Sequence, residues 1–262
     1  MTALDGLAPG EHLERVAIEV SQVAAALVRG EVGRAAATGT KSSPTDVVTE
    51  TDMRSEALIR RELMARCPGS TIVGEEFPDD IGTNTIGWIV DPIDGTVNFL
   101  YDLPVVSVSI AATIDGVTVA GAVTDVLRTE TFSASLGGGA RRDGAAISIR
   151  GATELASSLI GTGFAYDAPR RRRQARIIAE LLPASRDIRC MGSAALNLCW
   201  VGCGRLDAYF EQDTKPYDYA AGALIAAEGG AVVELPAQNE LDLVTAAPAS
   251  IFGSLRAFVD SA

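Results

Sequence analysis

The chain has 262 residues, 47% of them hydrophobic, enough to build one large domain or two halves sharing an interface, and too apolar for a disordered segment. Its 22 basic and 34 acidic residues give a net charge of −12. With no long cationic run, direct nucleic-acid binding is not expected, because neutralising phosphates takes clustered Lys and Arg.

Leu13, Val16, Ala17, Val20, Val23, Ala24 and Leu27 recur at helical spacing and predict an amphipathic helix ending near Gly30. The early Asp5 and Glu11 leave no secretory leader pattern ahead of it. Ser43 and Asp46 fit a helix-start box, so a second helix is expected from there to about Cys67, ahead of Pro68-Gly69. Thr71 to Gly74 and Ile86 to Asp91 read as strands, with a polar loop free to move, Phe77 to Thr85, expected between them. Val105 to Val123 is hydropathic enough for a membrane span. It alternates, however, and breaks at Asp115-Gly116, which makes it a β-hairpin, so no membrane association is expected. Antiparallel strands continue to Ile149 with a second turn at Asp143-Gly144. Gly137-Gly138-Gly139 precedes no helix and reads as a hairpin tip.

The second half alternates. Strands are predicted at 159–162, 187–190, 207–211, 231–235 and 242–246, and helices at 170–182, 193–202, 217–228 and the C-terminus. Arg170 to Arg173 is too short for a binding face and reads as the solvated start of a helix. The expected organisation is an α+β half over 1–150 and an α/β half over 151–262.

The chemistry has to be found among carboxylates and hydroxyls. One histidine, His12, lies in a polar helix start, which leaves no base for a Ser-His-Asp or Cys-His mechanism and no His-rich zinc site. Cys67, Cys190, Cys199 and Cys203 contain no C-x-x-C pair and read as reduced thiols, which suits a cytoplasmic protein. The most informative string is Trp88-Ile89-Val90-Asp91-Pro92-Ile93-Asp94-Gly95-Thr96, an apolar strand running into a stiff, tight turn. Asp91 and Asp94 can point into one small space, where their mutual repulsion calls for a cation. Oxygen ligands make a hard divalent ion such as Mg²⁺ the natural choice. Asp52, Gly74-Glu75-Glu76 and Tyr217-Asp218 add further acids. Taken singly, each reads as an exposed acid or a helix-dipole partner.

Taken in order, Lys41-Ser42-Ser43-Pro44-Thr45-Asp46, Thr51-Asp52, Gly74-Glu75-Glu76, Asp91-Pro92-Ile93-Asp94-Gly95-Thr96-Val97-Asn98-Phe99, Gly192-Ser193-Ala194 and Tyr217-Asp218 with Ala220-Ala221-Gly222 resemble the inositol monophosphatase family over nearly the whole chain. That family lies within the Mg²⁺-dependent, lithium-sensitive sugar phosphatases. The closest resemblance is to its bacterial branch, whose members are called both inositol-1-monophosphatases and extragenic suppressors. The resemblance implies a layered α-β-α-β-α sandwich, usually a homodimer, and hydrolysis of an inositol monophosphate by water. It implies that Glu75, Asp91 and the Ile93 carbonyl hold one Mg²⁺, that Asp91, Asp94 and Asp218 hold a second, and that a third leans on Glu75. Thr96, Asp52 and Glu75 carry the catalytic role, with Thr96 and Asp52 orienting the attacking water. Gly95 and Thr96 offer backbone N–H groups to phosphate. Gly192, Ser193 and Ala194 line the polyol pocket, with Glu211, Asp94 and Asp218 facing the substrate, and Lys41 is a candidate cation on the phosphate side. Tyr217 stands where the family commonly has Trp, and Val97 where Thr is frequent. The segment Gly161 to Tyr166 with the arginines after it lies where members differ in substrate contacts. The alcohol is therefore open, with histidinol phosphate, fructose 1,6-bisphosphate or a 3′-phosphonucleotide as alternatives. A second role as a transcription or RNA-processing partner is the reading suggested by the suppressor name.

Overall fold

A computed structural model describes residues 9–34, 37–40, 47–236 and 242–260. In chain order the elements are α1 (Pro9–Gly30), β1 (Ala37–Thr40), β2 (Val47–Thr49), α2 (Glu50–Arg66), β3 (Thr71–Gly74), β4 (Ile86–Asp94), α3 (Thr96–Leu100), β5 (Ser107–Ile114), β6 (Val117–Asp125), β7 (Thr131–Ser135), β8 (Ala140–Arg142) and β9 (Ala145–Ala146). They continue with β10 (Leu159–Thr162), α4 (Ala168–Leu181), β11 (Asp187–Cys190), α5 (Ala194–Gly202), β12 (Ala208–Gln212), α6 (Pro216–Glu228), β13 (Val232–Glu234), β14 (Leu243–Ala247) and α7 (Ala249–Asp260).

The layered α-β-α-β-α sandwich is what forms. A seven-stranded sheet runs β3-β4-β5-β6-β7-β8-β9, parallel at β3–β4 and antiparallel thereafter. A five-stranded sheet runs β11-β10-β12-β14-β13, with β10 parallel to both of its neighbours. Helices α1 and α2 cover the outer face of the first sheet through Leu13, Val20, Ile59 and Leu63 against Trp88, Val90 and Ile110. Helices α5 and α6 fill the space between the sheets, and α4 and α7 close the outer face of the second.

Position in this stack explains the sequence of each helix. The apolar residues of α1 sit on one stripe because only one face is covered. Ala220 to Ala226 of α6 are all buried because protein lies on every side of that helix. Small residues let it approach closely: a Cβ added at Gly121 of β6 would lie 2.9 Å from Ala221 Cα. The hydropathic stretch 105–123 is the β5–β6 hairpin, and among the described residues no helix is long and apolar enough to cross a membrane.

The start of the second helix differs from expectation, the strand from Ile86 runs on to Asp94, and the last strand before Ile149 ends at Ala146. The box at Ser43 and Asp46 lies outside the described residues, as does Lys41. The second helix begins at Glu50, because Val47 to Thr49 pair as a strand with β1 and Thr49 caps the helix. Thr49 and Asp52 form a reciprocal capping box, the same chemistry six residues later.

Candidate active site

Regular alternation would point residues three apart to opposite faces of a strand, so Asp91 and Asp94 need an irregularity to face the same way. Pairing of β4 with β5 supplies it. Asp91 lies opposite Ser109 and Asp94 opposite Ser107, with a register shift between the two pairs. Ser107 and Ser109 share a face, so their partners do as well. Pro92, which lacks an N–H for the ladder, sits in the shifted segment. Its carbonyl accepts from Ser55 Oγ of α2 at 3.0 Å, and the Ile93 N–H donates to Asp91 Oδ1 at 3.0 Å. Gly95 follows at φ 97°. A Cβ there would lie 2.8 Å from the Val105 carbonyl and 3.0 Å from that of Gly192, so glycine is required by both torsion and space.

Thr96 then opens the short helix α3. Its Oγ1 is 3.1 Å from Asp52 Oδ1 and 3.0 Å from the Ile93 carbonyl. Asp52 is fully buried, and its other oxygen accepts from the N–H and hydroxyl of Thr49. It stands behind Thr96, which lines the cleft. Asn98 ties the loop to the second half, its amide donating at 2.8 Å to both the Val105 and Met191 carbonyls.

Asp94 faces the start of α5. Its carboxylate accepts from Ser193 Oγ at 2.5 Å, Ala195 N at 2.9 Å, Ala194 N at 3.2 Å and Ser107 Oγ at 3.3 Å. Burial nevertheless pushes this carboxyl up to about 6, with those hydrogen bonds holding it back. Asp218, in the first turn of α6, accepts from the Lys215 N–H at 2.5 Å. Glu211, the last but one residue of β12, accepts from Tyr209 Oη at 2.7 Å. It fits because residue 163 is glycine, where a Cβ would lie 2.1 Å from its carboxylate. Asp218 and Glu211 keep some contact with solvent, yet protein surrounds them on nearly every side. Enclosure pushes Glu211 up to about 7 and Asp218 well above the carboxylate range; the nearby charges of Asp94, Glu75 and Glu211 add to the shift of Asp218.

Glu75, Asp91, Ile93, Asp94, Gly95, Thr96, Gly192, Ser193, Ala194, Glu211 and Asp218 all line one cleft of about 1020 Å³. Of the site residues expected from sequence, Asp52 stands behind this wall and Lys41 lies outside the described residues. The acids fit a hard divalent cation: clustered carboxylates and a loop carbonyl, with Glu211 and Asp218 raised by burial and then by neighbouring charge, while Cys190 and Met191 also line the cleft. Among the described residues no three acidic, histidine or cysteine side chains stand as a closed metal cage. Asp94 is turned onto α5 and Asp218 onto its own helix start. Phe164, Tyr166, Arg170 and Arg171 form a further part of the rim, and Lys215 stands next to Asp218. Arg170 begins α4 and pairs with Asp213, which fastens that rim to the loop before α6.

Ser107 and Tyr209 carry no sequence signal of a role in the cleft, and Asn98 is marked only by its place in the Asp91 to Phe99 string. Ser107 and Tyr209 look like ordinary strand residues; the packing of separate segments brings Ser107 to Asp94 and Ser193, and Asn98 to Met191, while Tyr209 meets Glu211 two residues on along β12.

The layered sandwich is the fold that the sugar-phosphatase likeness implies, with a carboxylate-lined cleft in it. The family model described as the inositol monophosphatase family matches residues 10–254, and the chain belongs to that family. It is similar to the Inositol-1-monophosphatase of Mycobacterium leprae (strain TN), 45% identical over 248 residues, 87% of this chain and 85% of that one. It is 38% identical over 190 residues to a protein of Salmonella typhimurium (strain 14028s) named Nus factor SuhB, covering 72% of this chain and 71% of that one. Among solved structures, Mycobacterium tuberculosis SuhB superposes with a TM-score of 0.83 at 42% identity, covering 96% of this chain and 97% of that one. The protein is an enzyme, a phosphatase of this family.

Proposed function

We propose that the protein is a Mg²⁺-dependent phosphomonoesterase that hydrolyses myo-inositol monophosphate to inositol and phosphate. Glu75, Asp91 and the Ile93 carbonyl would hold one ion, with a third, looser one leaning on Glu75. Asp91, Asp94 and Asp218 would hold a second, Asp91 bridging. Bound Mg²⁺ supplies Lewis acidity, lowering the pKa of water and offsetting charge on the attacking and leaving oxygens. Thr96 Oγ1 directs its proton to Asp52 or the Ile93 carbonyl, which leaves its lone pairs to accept from the attacking water. Asp52, enclosed behind it, fixes that direction and acts as a positioning residue. The Gly95 and Thr96 N–H groups would receive phosphate oxygens. Glu211, Asp94 and the Gly192-Ser193-Ala194 turn would take the hydroxyls of the alcohol.

The single observation that carries this reading is the shifted β4–β5 register, which turns Asp91 and Asp94 to one face beside Thr96 and its link to Asp52. The name of the M. leprae relative supports the choice of substrate. Asp94→Asn tests it: phosphate release from inositol-1-phosphate is expected to be abolished, and full activity in that variant would refute the site. A phosphate-release panel at equal concentrations, including histidinol phosphate, fructose 1,6-bisphosphate and a 3′-phosphonucleotide, ranks the substrates. We further read the protein as a cytoplasmic homodimer, which light scattering on the purified protein checks.

A second reading is favoured by the likeness to a protein named a Nus factor, namely a role as a transcription or RNA-processing partner. Co-purification with RNA polymerase from cells, retained in Asp94→Asn, is the outcome that supports it.

A further inference from the structure

We propose that Glu56, braced by Arg60, is the positioning residue that sets Glu75 in the cleft and thereby tunes metal affinity; this rests on the metal-dependent reading above. Glu56 is wholly buried and Arg60 is 9% exposed. Enclosing an ion pair in a core that apolar side chains could fill is costly, so its partners indicate its use. Glu56 Oε2 accepts from the Glu76 N–H at 2.7 Å, and Oε1 from the Phe77 N–H at 3.3 Å. These are the two backbone donors immediately after Glu75.

Arg60 completes the latch. Its Nε donates to Glu56 Oε1 at 2.8 Å, Nη1 to Asp80 Oδ2 at 2.7 Å and Nη2 to the Phe77 carbonyl at 3.2 Å, while its guanidinium lies 5.8 Å from the centre of the Phe77 ring. The far end of the segment is closed by backbone pairing of Asp80 with Ile72, at 2.9 Å in both directions. Gly74 leaves the space: a Cβ there would lie 2.1 Å from Glu56 Oε1.

The placement on α2 matters as much as the contacts. Asp52, Ser55 and Glu56 fall at i, i+3 and i+4 on one helical face. Asp52 meets Thr96, Ser55 meets the Pro92 carbonyl and Glu56 meets the backbone after Glu75. One rigid helix thus holds both acid-bearing segments and fixes Glu75 relative to Asp91 and Asp94.

Glu56→Gln is the test, in the full chain. It is nearly isosteric, yet exchanges one acceptor oxygen for a donor facing backbone N–H groups. Mg²⁺ binding measured by titration calorimetry is expected to weaken on the order of 10-fold or more, as when the partners that orient a metal ligand are removed. Amide hydrogen exchange is expected to accelerate at 76–80 and to stay unchanged elsewhere. KM for inositol-1-phosphate at saturating Mg²⁺ is expected to hold. A folded variant with wild-type Mg²⁺ affinity, with wild-type exchange at 76–80, or with exchange raised uniformly along the chain overturns the proposal. Should Glu56→Gln fail to fold, Asp80→Asn loosens Arg60 from its more exposed side, where the Asp80 side chain is 53% exposed; wild-type affinity and exchange in that variant overturn it equally. Glu75→Gln separates the two levels. Unchanged Mg²⁺ affinity there removes the ligand assignment itself, whereas a Glu75-dependent affinity that ignores Glu56 removes only the latch.

Discussion

Glu211 shows how one residue's surroundings set its chemistry. Enclosure and the neighbouring Asp94 charge favour the protonated acid, raising it from an ordinary 4.5 to about 7. The native state then binds more protons than the unfolded chain between these values, so this group's contribution to stability is fully present below pH 4.5 and is lost as pH rises toward 7. Glu211→Gln is therefore expected to flatten the fall in unfolding free energy over that range, as measured by urea titration in EDTA. An unchanged slope would mean that Glu211 titrates normally. The acid itself is plain in the sequence. Its environment is not, because Gly163 and Asp94 come to it from two other segments of the chain.

At the scale of elements, β4 and α2 carry the argument. The Asp-Pro-x-Asp-Gly-Thr string announces a stiff turn, but only the pairing of β4 with β5 shows it as a shifted register inside a sheet. Helix α2 is the counterpart case. Two helix-start boxes were available to the chain, and strand pairing of Val47 to Thr49 selects the second. Thr49→Ala removes the cap and a hydroxyl contact of Asp52; a loss of about 1 kcal/mol is expected from the cap. Chemical denaturation measures that loss, and phosphate release should fall with it, since Asp52 acts through Thr96. A variant destabilised but fully active would show that the box serves the helix alone. The polar loop after Glu75 is held along Glu76 to Asp80 by Glu56 and Arg60 of α2, and the sequence does not show this, since an acid and an arginine one helical turn apart look like any surface pair until the helix is docked.

For the whole molecule, the middle helical layer is shared. Helices α5 and α6 pack against strands of both sheets, so neither sheet has a complete core without them. Trp88 lies in the core beneath α1 and α2, while Trp200 lies in the central core. Trp88→Phe and Trp200→Phe each leave a single tryptophan reporting on a different layer. Both are expected to give fluorescence transitions in urea that coincide with the loss of helical circular dichroism in the same variant. Separated transitions would show that the layers unfold independently.

What the amino-acid order determined by itself is whatever depends on neighbours along the chain. Helical and strand periodicity, Asp-Gly turns, the exclusion of histidine chemistry and the acid strings with their family likeness are all of that kind, and most strands and helices fall within a residue or two of expectation. Tertiary structure alone decided the order of strands in two sheets, the face shared by Asp91 and Asp94, the enclosure of Asp52 behind Thr96, and the meeting of Asp94 with Ser193 across 99 residues of chain. Those contacts depend on which surfaces pack together, and burial and hydrogen bonding between segments far apart in sequence leave no local pattern to read.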